Sequence, residues 1–248
     1  MFFSIRDGWF LSHYSMTRKE IGMFKIETHM HTSEGSACGY SNGYECAAAR
    51  KAEGYDTVIV TDHFFRGNTR PKRDLPWEQY VNEFCSGYEH CKEEGDRIGL
   101  NVLFGWEENF FGAEFLIYGL DKEWLLAHPD MIRWTPRQQY EYVHADGGYV
   151  VQAHPFRQRD YLEGIGLYPN YIDAVEGINA AQPKVQNERG MWFAKQFDFP
   201  VTAGSDVHGV RPIGGGMLTE KKIVTIQDYI SLIQSRRGYQ LIEKHLDS

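Results

Sequence analysis

Residues that could bind metal ions end five separate apolar runs of this chain. They lie in the segments HMH (29–31), TDH (61–63), GWE (105–107), AHP (153–155) and GSDVH (204–208). Imidazole and carboxylate groups are the side chains that bind divalent cations such as zinc, manganese and iron. Polar groups removed from water need partners, so five apolar runs ending in such groups would be costly to fold without them. The joint pattern predicts a metal centre, which no single motif would establish.

Short β-rich runs alternate with longer helical patterns, and this alternation is typical of βα units. One helix is predicted to begin after Thr135, because Thr135 and Pro136 have the types of an N-cap and a first helical residue. The other predicted helices cover 42–53, 76–97, 183–197 and 227–237. The predicted strands cover 24–31, 56–64, 101–109, 114–120, 149–155, 171–179, 199–208 and 221–226.

These elements predict a single α/β domain over residues 23–248, built as a closed α/β barrel, with residues 1–22 as an N-terminal extension. In a parallel barrel the carboxyl ends of the strands deliver side chains to one opening. Residues i and i+2 of a strand share a face, so His29 and His31 can both turn inward. The barrel therefore predicts that the five polar segments meet.

The acidic balance of the chain limits its partners. Its 248 residues include 26 Lys and Arg against 34 Asp and Glu, a net charge of −8. Extended nucleic acids are not expected as partners, because phosphate neutralisation needs clustered basic residues. The four cysteines form no C-x-x-C pair. No apolar run approaches the roughly 20 residues that span a bilayer. These features favour a cytoplasmic protein that does not associate with membranes, and they leave its oligomeric state open.

The motifs HMH (29–31), TDHF (61–64), GWE (105–107), AHPF (153–156) and GSDVH (204–208) occur in this order and resemble those of the polymerase and histidinol phosphatase (PHP) superfamily of metal-dependent phosphoesterases. The resemblance runs from about Lys25 to the end of the chain. It implies a distorted TIM-like barrel of seven βα units. It also implies two or three divalent ions, zinc, manganese or iron, at the carboxyl ends of the strands.

The resemblance also implies which residues hold each ion. Glu107 corresponds to a residue that bridges two ions, and His154 corresponds to a ligand of the second of them. His63 and His208 correspond to ligands of a third ion. The other ligands of the first ion correspond to His29, His31 and Asp206.

Two positions depart from the family pattern. Many relatives have Asp or His shortly after His-x-His, where this chain reads Thr-Ser-Glu-Gly (32–35), so Glu34 is the candidate substitute. Relatives often have His at the position of Glu114, and a carboxylate there favours harder ions such as Mn²⁺ or Fe²⁺. Asp62 is expected to orient a neighbouring imidazole through its ring N–H.

The resemblance implies hydrolysis of a small phosphomonoester, either histidinol-phosphate-like or a nucleotide. Two nearby cations would hold a bridging water, lower its pKa, and neutralise the attacking and leaving oxygens. Glu107 and Asp62 are expected to have catalytic roles as bridge and orienting group, and His208 is a candidate to protonate the leaving alcohol. Arg157 and Arg211 are expected to bind phosphate oxygens.

Three alternatives remain open. A nuclease or nucleotide phosphatase of the same superfamily could stack a base on Phe64, Phe65 or Trp106. An amidohydrolase-type deaminase or amidase also begins with His-x-His on a barrel strand, although this chain has no lysine at a strand end that could be carboxylated. A metal-binding interaction module without turnover is the non-catalytic alternative.

Overall fold

The computed structural model describes residues 22–243, so the expectation of an extension over residues 1–22 lies almost wholly outside the described residues. The strands are β1 (Phe24–Met30), β2 (Thr57–Val60), β3 (Asn101–Phe110), β4 (Ala113–Tyr118), β5 (Tyr149–Ala153), β6 (Ala174–Asn179), β7 (Val201–Gly204), β8 (Met217–Thr219) and β9 (Tyr239–Leu241). The helices are α1 (Gly43–Ala52), α2 (Trp77–Ile98), α3 (Lys122–Ala127), α4 (Pro136–Ala145), α5 (Lys184–Gln196) and α6 (Ile226–Ser235).

These strands form one curved sheet in the order β7-β6-β5-β4-β3-β2-β1-β8-β9. Parallel pairing joins β1 to β2, β2 to β3, β5 to β6, and β6 to β7. β7 returns to β1 through side chains and loops. The Thr28 hydroxyl donates to the Ala203 carbonyl at 2.8 Å, and the Asp206 N–H donates to the His29 carbonyl at 2.8 Å. The result is a nearly closed barrel, which confirms the predicted distorted TIM-like fold.

The barrel departs from uniform βα units at β4, which runs antiparallel to both of its neighbours, β3 and β5. Phe111 and Gly112 make the tight turn between β3 and β4, with φ of 54° and 91°. Because the chain reverses there, β4 begins at the end of the barrel where the parallel strands finish. Glu114, the second residue of β4, therefore lies at the same opening as the strand-end residues.

Most predicted elements are confirmed, and hydrogen bonds at the helix N-termini explain where the helices begin. The Thr135 side chain accepts from the Gln138 N–H, and the Gln138 side chain accepts from the Thr135 N–H, which is the capping box expected at α4. The predicted strand at 221–226 is wrong. Thr225 instead caps α6 by accepting from the Asp228 N–H, and the short strand β8 precedes this segment.

The strands that carry the site are buried on both faces, as the barrel requires. Every residue of β2, β4, β5 and β6 is buried. Helix α2 contributes Tyr80, Phe84 and Cys85 to an apolar cluster outside the sheet. Within residues 22–243, no helix has the length and apolar character needed to cross a membrane.

Candidate metal centre

Strand β1 delivers two histidines to the inside of the barrel. His29 lies in β1, and His31 is the first residue after this strand. Both side chains are fully buried, and their Nε2 atoms lie 3.1 Å apart. Gly204, at the end of β7, makes this arrangement possible. A Cβ at Gly204 would lie 2.5 Å from both the His29 Cβ and the Glu176 Oε1. The inward orientation predicted for the His-x-His motif is confirmed.

Four sets of three side chains in the described part of the chain have ligand atoms within 4.8 Å of one another. Glu107 belongs to two of the sets, as do His29, His31 and His63. The sets are His31, His63 and His208; His29, His154 and Asp206; His29, His31 and Glu107; and His63, Glu107 and Glu114. Eight of the nine residues predicted as metal ligands therefore converge, and Glu34 is the exception.

Glu107 lies where these sets meet and lacks a hydrogen-bond donor. It is fully buried, and neither of its carboxylate oxygens accepts a hydrogen bond. The His63 Nδ1 lies 2.7 Å from one oxygen and the His154 Nε2 lies 3.2 Å from the other, at angles that do not make hydrogen bonds. An ionised carboxylate without donors is costly to bury. In the metal-free protein the imidazoles of His63 and His29 are the positive groups that face this carboxylate. A divalent cation would take the place of their protons, so these residues fit a metal centre.

Burial and neighbouring charges hold two groups of the centre, Glu107 and His31, in the protonation states that bind metal, whereas nearby carboxylates raise the pKa of His29 and His63. Burial acts to raise the pKa of Glu107, but the neighbouring imidazoles of His63 and His29 hold this pKa well below its usual range. Burial and the neighbouring imidazoles of His208 and His63 lower the pKa of His31 well below its usual value. Glu107 is therefore ionised and His31 neutral near pH 7, and these are the forms that bind cations.

Two of the histidines have their Nδ1 atoms held by acceptors. The His29 Nδ1–H donates to the Glu176 carboxylate at 2.9 Å, and the His208 Nδ1–H donates to the backbone carbonyl of Asp206 at 2.9 Å. An ionised carboxylate and a carbonyl can only accept, so each neutral imidazole carries its proton on Nδ1. The Nε2 lone pair is then available to a cation, and the Glu176 contact has the carboxylate–histidine geometry common in metal sites.

Asp62 positions His31 through Ser36 rather than by direct contact. The Asp62 carboxylate accepts from the Thr32 N–H at 2.7 Å, the Thr32 hydroxyl at 2.6 Å and the Ser36 hydroxyl at 2.7 Å. Because the Ser36 proton points to Asp62, the Ser36 oxygen receives the Nδ1–H of His31 at 3.0 Å. Burial raises the pKa of Asp62 to about 6, although these hydrogen bonds act to lower it. The Asp62 carboxylate therefore accepts no imidazole N–H directly, and its connection to His31 passes through the Ser36 hydroxyl.

Two residues of the centre have strained backbones. His154 and Asp206 have φ of 23° and 56°, in the left-handed region that non-glycine residues rarely adopt at a cost of about 1–3 kcal/mol. Tertiary hydrogen bonds hold both residues, since the His154 N–H donates to Glu176 at 3.0 Å and the Asp206 N–H donates to the His29 carbonyl. Strain retained at two candidate ligands is typical of functional sites.

The β3–β4 hairpin brings Glu114 to the edge of the centre. Glu114 pairs with Asn109 in the sheet register and accepts from the Asn109 side chain at 3.1 Å. The Arg157 guanidinium lies 2.6 Å from the other Glu114 oxygen. Burial acts to lower the pKa of Arg157, but Glu114 and Glu107 raise it, so the guanidinium stays charged.

A cavity of about 500 Å³ opens onto the centre, with His63, His208, Glu114, Arg157 and Tyr161 among its lining residues. This size is within the range of small-molecule sites. Of the two arginines predicted to bind phosphate, Arg157 lines this cavity. Arg211 is exposed and is not among the lining residues.

Glu34 has partners other than those expected of a metal ligand. Its carboxylate accepts from the Gly43 N–H at 3.1 Å and from the His90 Nδ1–H at 3.0 Å. These contacts fasten the loop after β1 to the start of α1 and to α2. Glu34 therefore accepts a hydrogen bond from the first residue of α1 and belongs to none of the four sets.

The aromatic residues proposed for base stacking are mostly inaccessible. Phe64 and Trp106 are 0% exposed and pack in the core, and Phe65 is partly buried against the same core. The expectation that Phe64 or Trp106 stacks a base is wrong, because apolar packing of these large rings places them behind the strand ends.

Sequence analysis missed several residues that shape the centre. Glu176 interrupts an otherwise apolar run within the predicted strand at 171–179, and a carboxylate in a buried strand was the available signal. Ser36 gave no local signal, because its role depends on contacts with His31 and Asp62. Cys38 has no neighbouring motif in the sequence that indicates a role, and it lines the cavity that also contains His63 and His208. Burial acts to raise the pKa of Cys38, but the neighbouring imidazoles of His208 and His63 lower it to about 6.

Comparison with solved structures identifies proteins that share this fold. A two-domain protein from Bacteroides vulgatus, described as containing a predicted PHP-like metal-dependent phosphoesterase, is similar over 90% of this chain and 66% of its own, with a TM-score of 0.61 at 15% identity. A protein from Bifidobacterium adolescentis, named as a metal-dependent phosphoesterase, is similar over 86% of this chain and 96% of its own, with a TM-score of 0.56 at 15% identity.

An amidohydrolase from Chromobacterium violaceum, solved with bound sulfate and no metal, is similar over 88% of this chain and 98% of its own, with a TM-score of 0.54 at 11% identity. The chain thus spans slightly less than two thirds of the two-domain Bacteroides protein. No protein-family model and no curated protein matches the sequence. At these identities the likeness shows a shared fold, and that fold is the one implied by the PHP resemblance.

Proposed function

We propose that this protein is a metal-dependent phosphoesterase that hydrolyses a small phosphomonoester. The observation that carries the proposal is Glu107, a buried carboxylate without hydrogen-bond donors that is surrounded by imidazoles. The neighbouring cavity contains a charged arginine, Arg157. Together these features provide a place for cations and a place for the anionic group of a substrate.

The candidate ligands would hold the ions, and the ions would supply the electrophilic chemistry. His29, His31, Asp206 and Glu107 would hold one ion. His154, whose Nε2 lies 3.2 Å from a Glu107 oxygen, would help to hold a second ion. Bound divalent cations would polarise a phosphoryl oxygen and lower the pKa of a water molecule.

Arg157 would bind and orient the phosphate. One of its Nη atoms contacts Glu114, while its Nε is buried without a hydrogen-bond partner. An unpaired guanidinium N–H beside the cavity is a donor suited to a non-bridging phosphate oxygen. Arg157 would also neutralise charge that develops on the phosphoryl group.

His208 has one nitrogen available, and this restricts its role. Its Nδ1–H is committed to the Asp206 carbonyl, so Nε2 can either bind an ion or carry a proton for the leaving alcohol. Because His208 lies within the set formed with His31 and His63, ion binding is the role that its position favours over the predicted acid role.

The cavity supports a small substrate. Its volume of about 500 Å³ suits a phosphomonoester such as a histidinol-phosphate-like compound or a mononucleotide. The burial of Phe64 and Trp106 removes two of the three aromatic residues on which a nuclease would stack a base. A deaminase or amidase remains the second candidate because of the structural likeness to an amidohydrolase.

The test is phosphate release by the full chain loaded with Mn²⁺ or Zn²⁺, measured over a panel of small phosphomonoesters. The same preparation is offered amides and aminated bases. We expect turnover of a phosphomonoester and a loss of more than about 100-fold in Glu107→Gln, beyond what loss of an outer metal-site contact costs. His144→Gln is the matched control, because the exposed His144 contacts Asp173 instead of the centre. Turnover confined to amides or bases, or none with metal bound, would overturn the proposal.

A further inference from the structure

A second cavity, of about 460 Å³, adjoins the cavity that opens onto the metal centre. Arg66 and Asn109 line both cavities and therefore stand at the boundary between them. Asn109 follows Glu107 by two residues, so the two side chains share a face of β3, and the boundary lies about 7 Å along the strand from Glu107. A substrate held at the centre can extend from there into the second cavity.

The wall of the second cavity is rich in apolar groups and carries positive charge. Its apolar lining residues include Phe111, Ile132 and Trp134, and its two guanidinium groups belong to Arg66 and Arg133. None of its lining residues in the described part of the chain is Asp or Glu. An uncharged ring suits this wall, whereas a cationic amine would meet two guanidinium groups and no carboxylate.

Arg66 holds the wall of the second cavity in place. One of its Nη atoms donates to the Met131 and Trp134 carbonyls at 2.8 and 2.9 Å, and its guanidinium lies 4.4 Å from the centre of the Phe110 ring. The Glu108 carboxylate, 3.3 Å from the other Nη, is fully buried and does not line the cavity. These contacts attach the loop after β2 to the segment 129–134, so the cavity is preformed.

Phe111 is an unusual residue for its position in the β3–β4 turn. Both turn residues, Phe111 and Gly112, have positive φ, and such two-residue turns favour Asn, Asp or Gly. The Phe111 ring is also 94% exposed. Neither the backbone nor packing within the protein accounts for a phenylalanine here. Its place on the wall of the second cavity does account for it, because an exposed ring offers a face on which a planar group can stack.

We propose that the second cavity binds the alcohol portion of the phosphomonoester and selects an uncharged aromatic ring, which packs against Phe111. This inference rests on the proposed function, since it names the class of substrate for the same site. Of the two substrates considered for that function, it favours the uncharged base of a mononucleotide over the cationic amine of a histidinol-phosphate-like compound. Phe111 and Arg133 are then specificity residues, and the phosphate remains with the centre and Arg157.

The experiment is isothermal titration calorimetry of the full chain, loaded with Mn²⁺ or Zn²⁺, with butylphosphonate, 4-phenylbutylphosphonate and 4-aminobutylphosphonate. These probes resist hydrolysis, share one anionic head group and one alkyl chain, and differ at the far end. We expect the Kd of 4-phenylbutylphosphonate to lie at least about 10-fold below that of butylphosphonate, as for the stacking of one ring on an aromatic side chain. The cationic 4-aminobutylphosphonate should bind no more tightly than butylphosphonate.

Phe111→Asn separates the ring from the fold. Asparagine suits the turn, so this variant should unfold at the same temperature as the unaltered protein or higher. Its preference for 4-phenylbutylphosphonate should nevertheless fall to less than about 2-fold, because the stacking surface is gone. Phe111→Trp keeps a ring and should keep the preference. Trp192→Ala is the matched control, because Trp192 is 56% exposed on α5 and lines neither cavity.

The outcomes separate this inference from the proposed function. Equal Kd values for the butyl and phenylbutyl probes, or a ring preference that persists in Phe111→Asn, would overturn the inference and leave the phosphoesterase proposal standing. Tightest binding of the amino probe, or binding of none of the three, would overturn it as well. A ring preference that depends on Phe111, in a protein that releases phosphate from no phosphomonoester, would support the ring site and overturn the phosphoesterase proposal.

Discussion

Asp62 and Glu107 are buried carboxylates beyond β2 and within β3, and the Glu107 N–H donates to the Asp62 carbonyl at 2.9 Å. Three hydrogen bonds from Thr32 and Ser36 satisfy the Asp62 carboxylate. The Glu107 carboxylate receives none and is surrounded by imidazoles. Burial alone therefore does not identify a ligand. A buried carboxylate with N–H and O–H donors is part of the scaffold, whereas one that faces only potential metal ligands is placed to bind a cation.

The largest effect should come from removing the charge of Glu107. Metal binding to the folded state alone stabilises a protein by about 2.7 kcal/mol at a metal concentration 100 times the Kd. We expect added Zn²⁺ to raise the thermal midpoint of the unaltered protein and to have little effect on Glu107→Gln. Differential scanning calorimetry with and without Zn²⁺ measures this difference. An equal rise in both proteins would contradict the distinction between the two carboxylates.

Removal of Asp62 should act on folding even without metal. Asp62→Ala leaves the Thr32 and Ser36 donors buried without their acceptor, and we expect the free energy of unfolding to fall by about 2–4 kcal/mol. Urea unfolding of the metal-free protein gives this value. Glu107→Ala is the paired variant and should cost less in the same measurement, because Glu107 accepts no hydrogen bond. The reverse order would show that Glu107 has the greater role in the metal-free fold.

Ionisation of Asp62 should make the free energy of unfolding depend on pH. Its pKa is raised to about 6 in the folded state from an unfolded value of 3.8. Its contribution is thus fully present below the unfolded pKa and is lost as pH rises through about 6. Relative to Asp62→Asn, which does not titrate, the metal-free protein should lose up to about 3 kcal/mol between pH about 4 and 7. A constant difference across this range would exclude a raised pKa.

Ser36 connects the two carboxylate environments, so Ser36→Ala should affect both modestly. It removes one acceptor of the His31 Nδ1–H and one donor to Asp62. We expect about 1 kcal/mol of lost stability and metal affinity weakened by about 10–100-fold. Competition with a chromogenic chelator measures the affinity. Unchanged affinity would mean that His31 keeps its orientation without Ser36.

The smallest effect is expected at Glu34. Glu34→Gln removes a partly exposed contact with His90, and we expect a stability change of less than about 1 kcal/mol. The number of ions per chain, measured by elemental analysis, should stay the same. Loss of an ion would restore Glu34 as a ligand and show that the loop after β1 rearranges when metal binds.

The sequence predicted the parts of the site that depend on local patterns. His29 and His31 share a strand face because the side-chain period of a strand is two, and Thr135 starts α4 through contacts within one turn. The reversal of β4 was not predicted, because a strand's direction depends on its neighbours and on the turn at Phe111 and Gly112. Its residue Glu114 nevertheless reaches the predicted opening.

The residues missed were those whose roles depend on long-range contacts. Glu176 lies 147 positions from His29 in the sequence, and only the closed barrel brings them within hydrogen-bond distance. The errors at Phe64 and Trp106 have a local cause instead, because each residue is adjacent to a candidate ligand, His63 or Glu107, and adjacent residues of an extended chain face opposite sides. The polar side chains at the strand ends could therefore be predicted from the sequence, whereas the long-range contacts that orient these side chains could not.

Glu176 has a further consequence for how the centre fills. One of its oxygens holds the His29 ring, and the other accepts from the His154 N–H and the Asn179 side chain, which also contacts Asp206. Candidate ligands of two different ions are thereby attached to one carboxylate. An ion that binds first orders this shared group, so the second ion meets ligands that have already lost their freedom. Metal loading of this barrel should accordingly be cooperative, with the doubly loaded form favoured over a mixture of singly loaded forms.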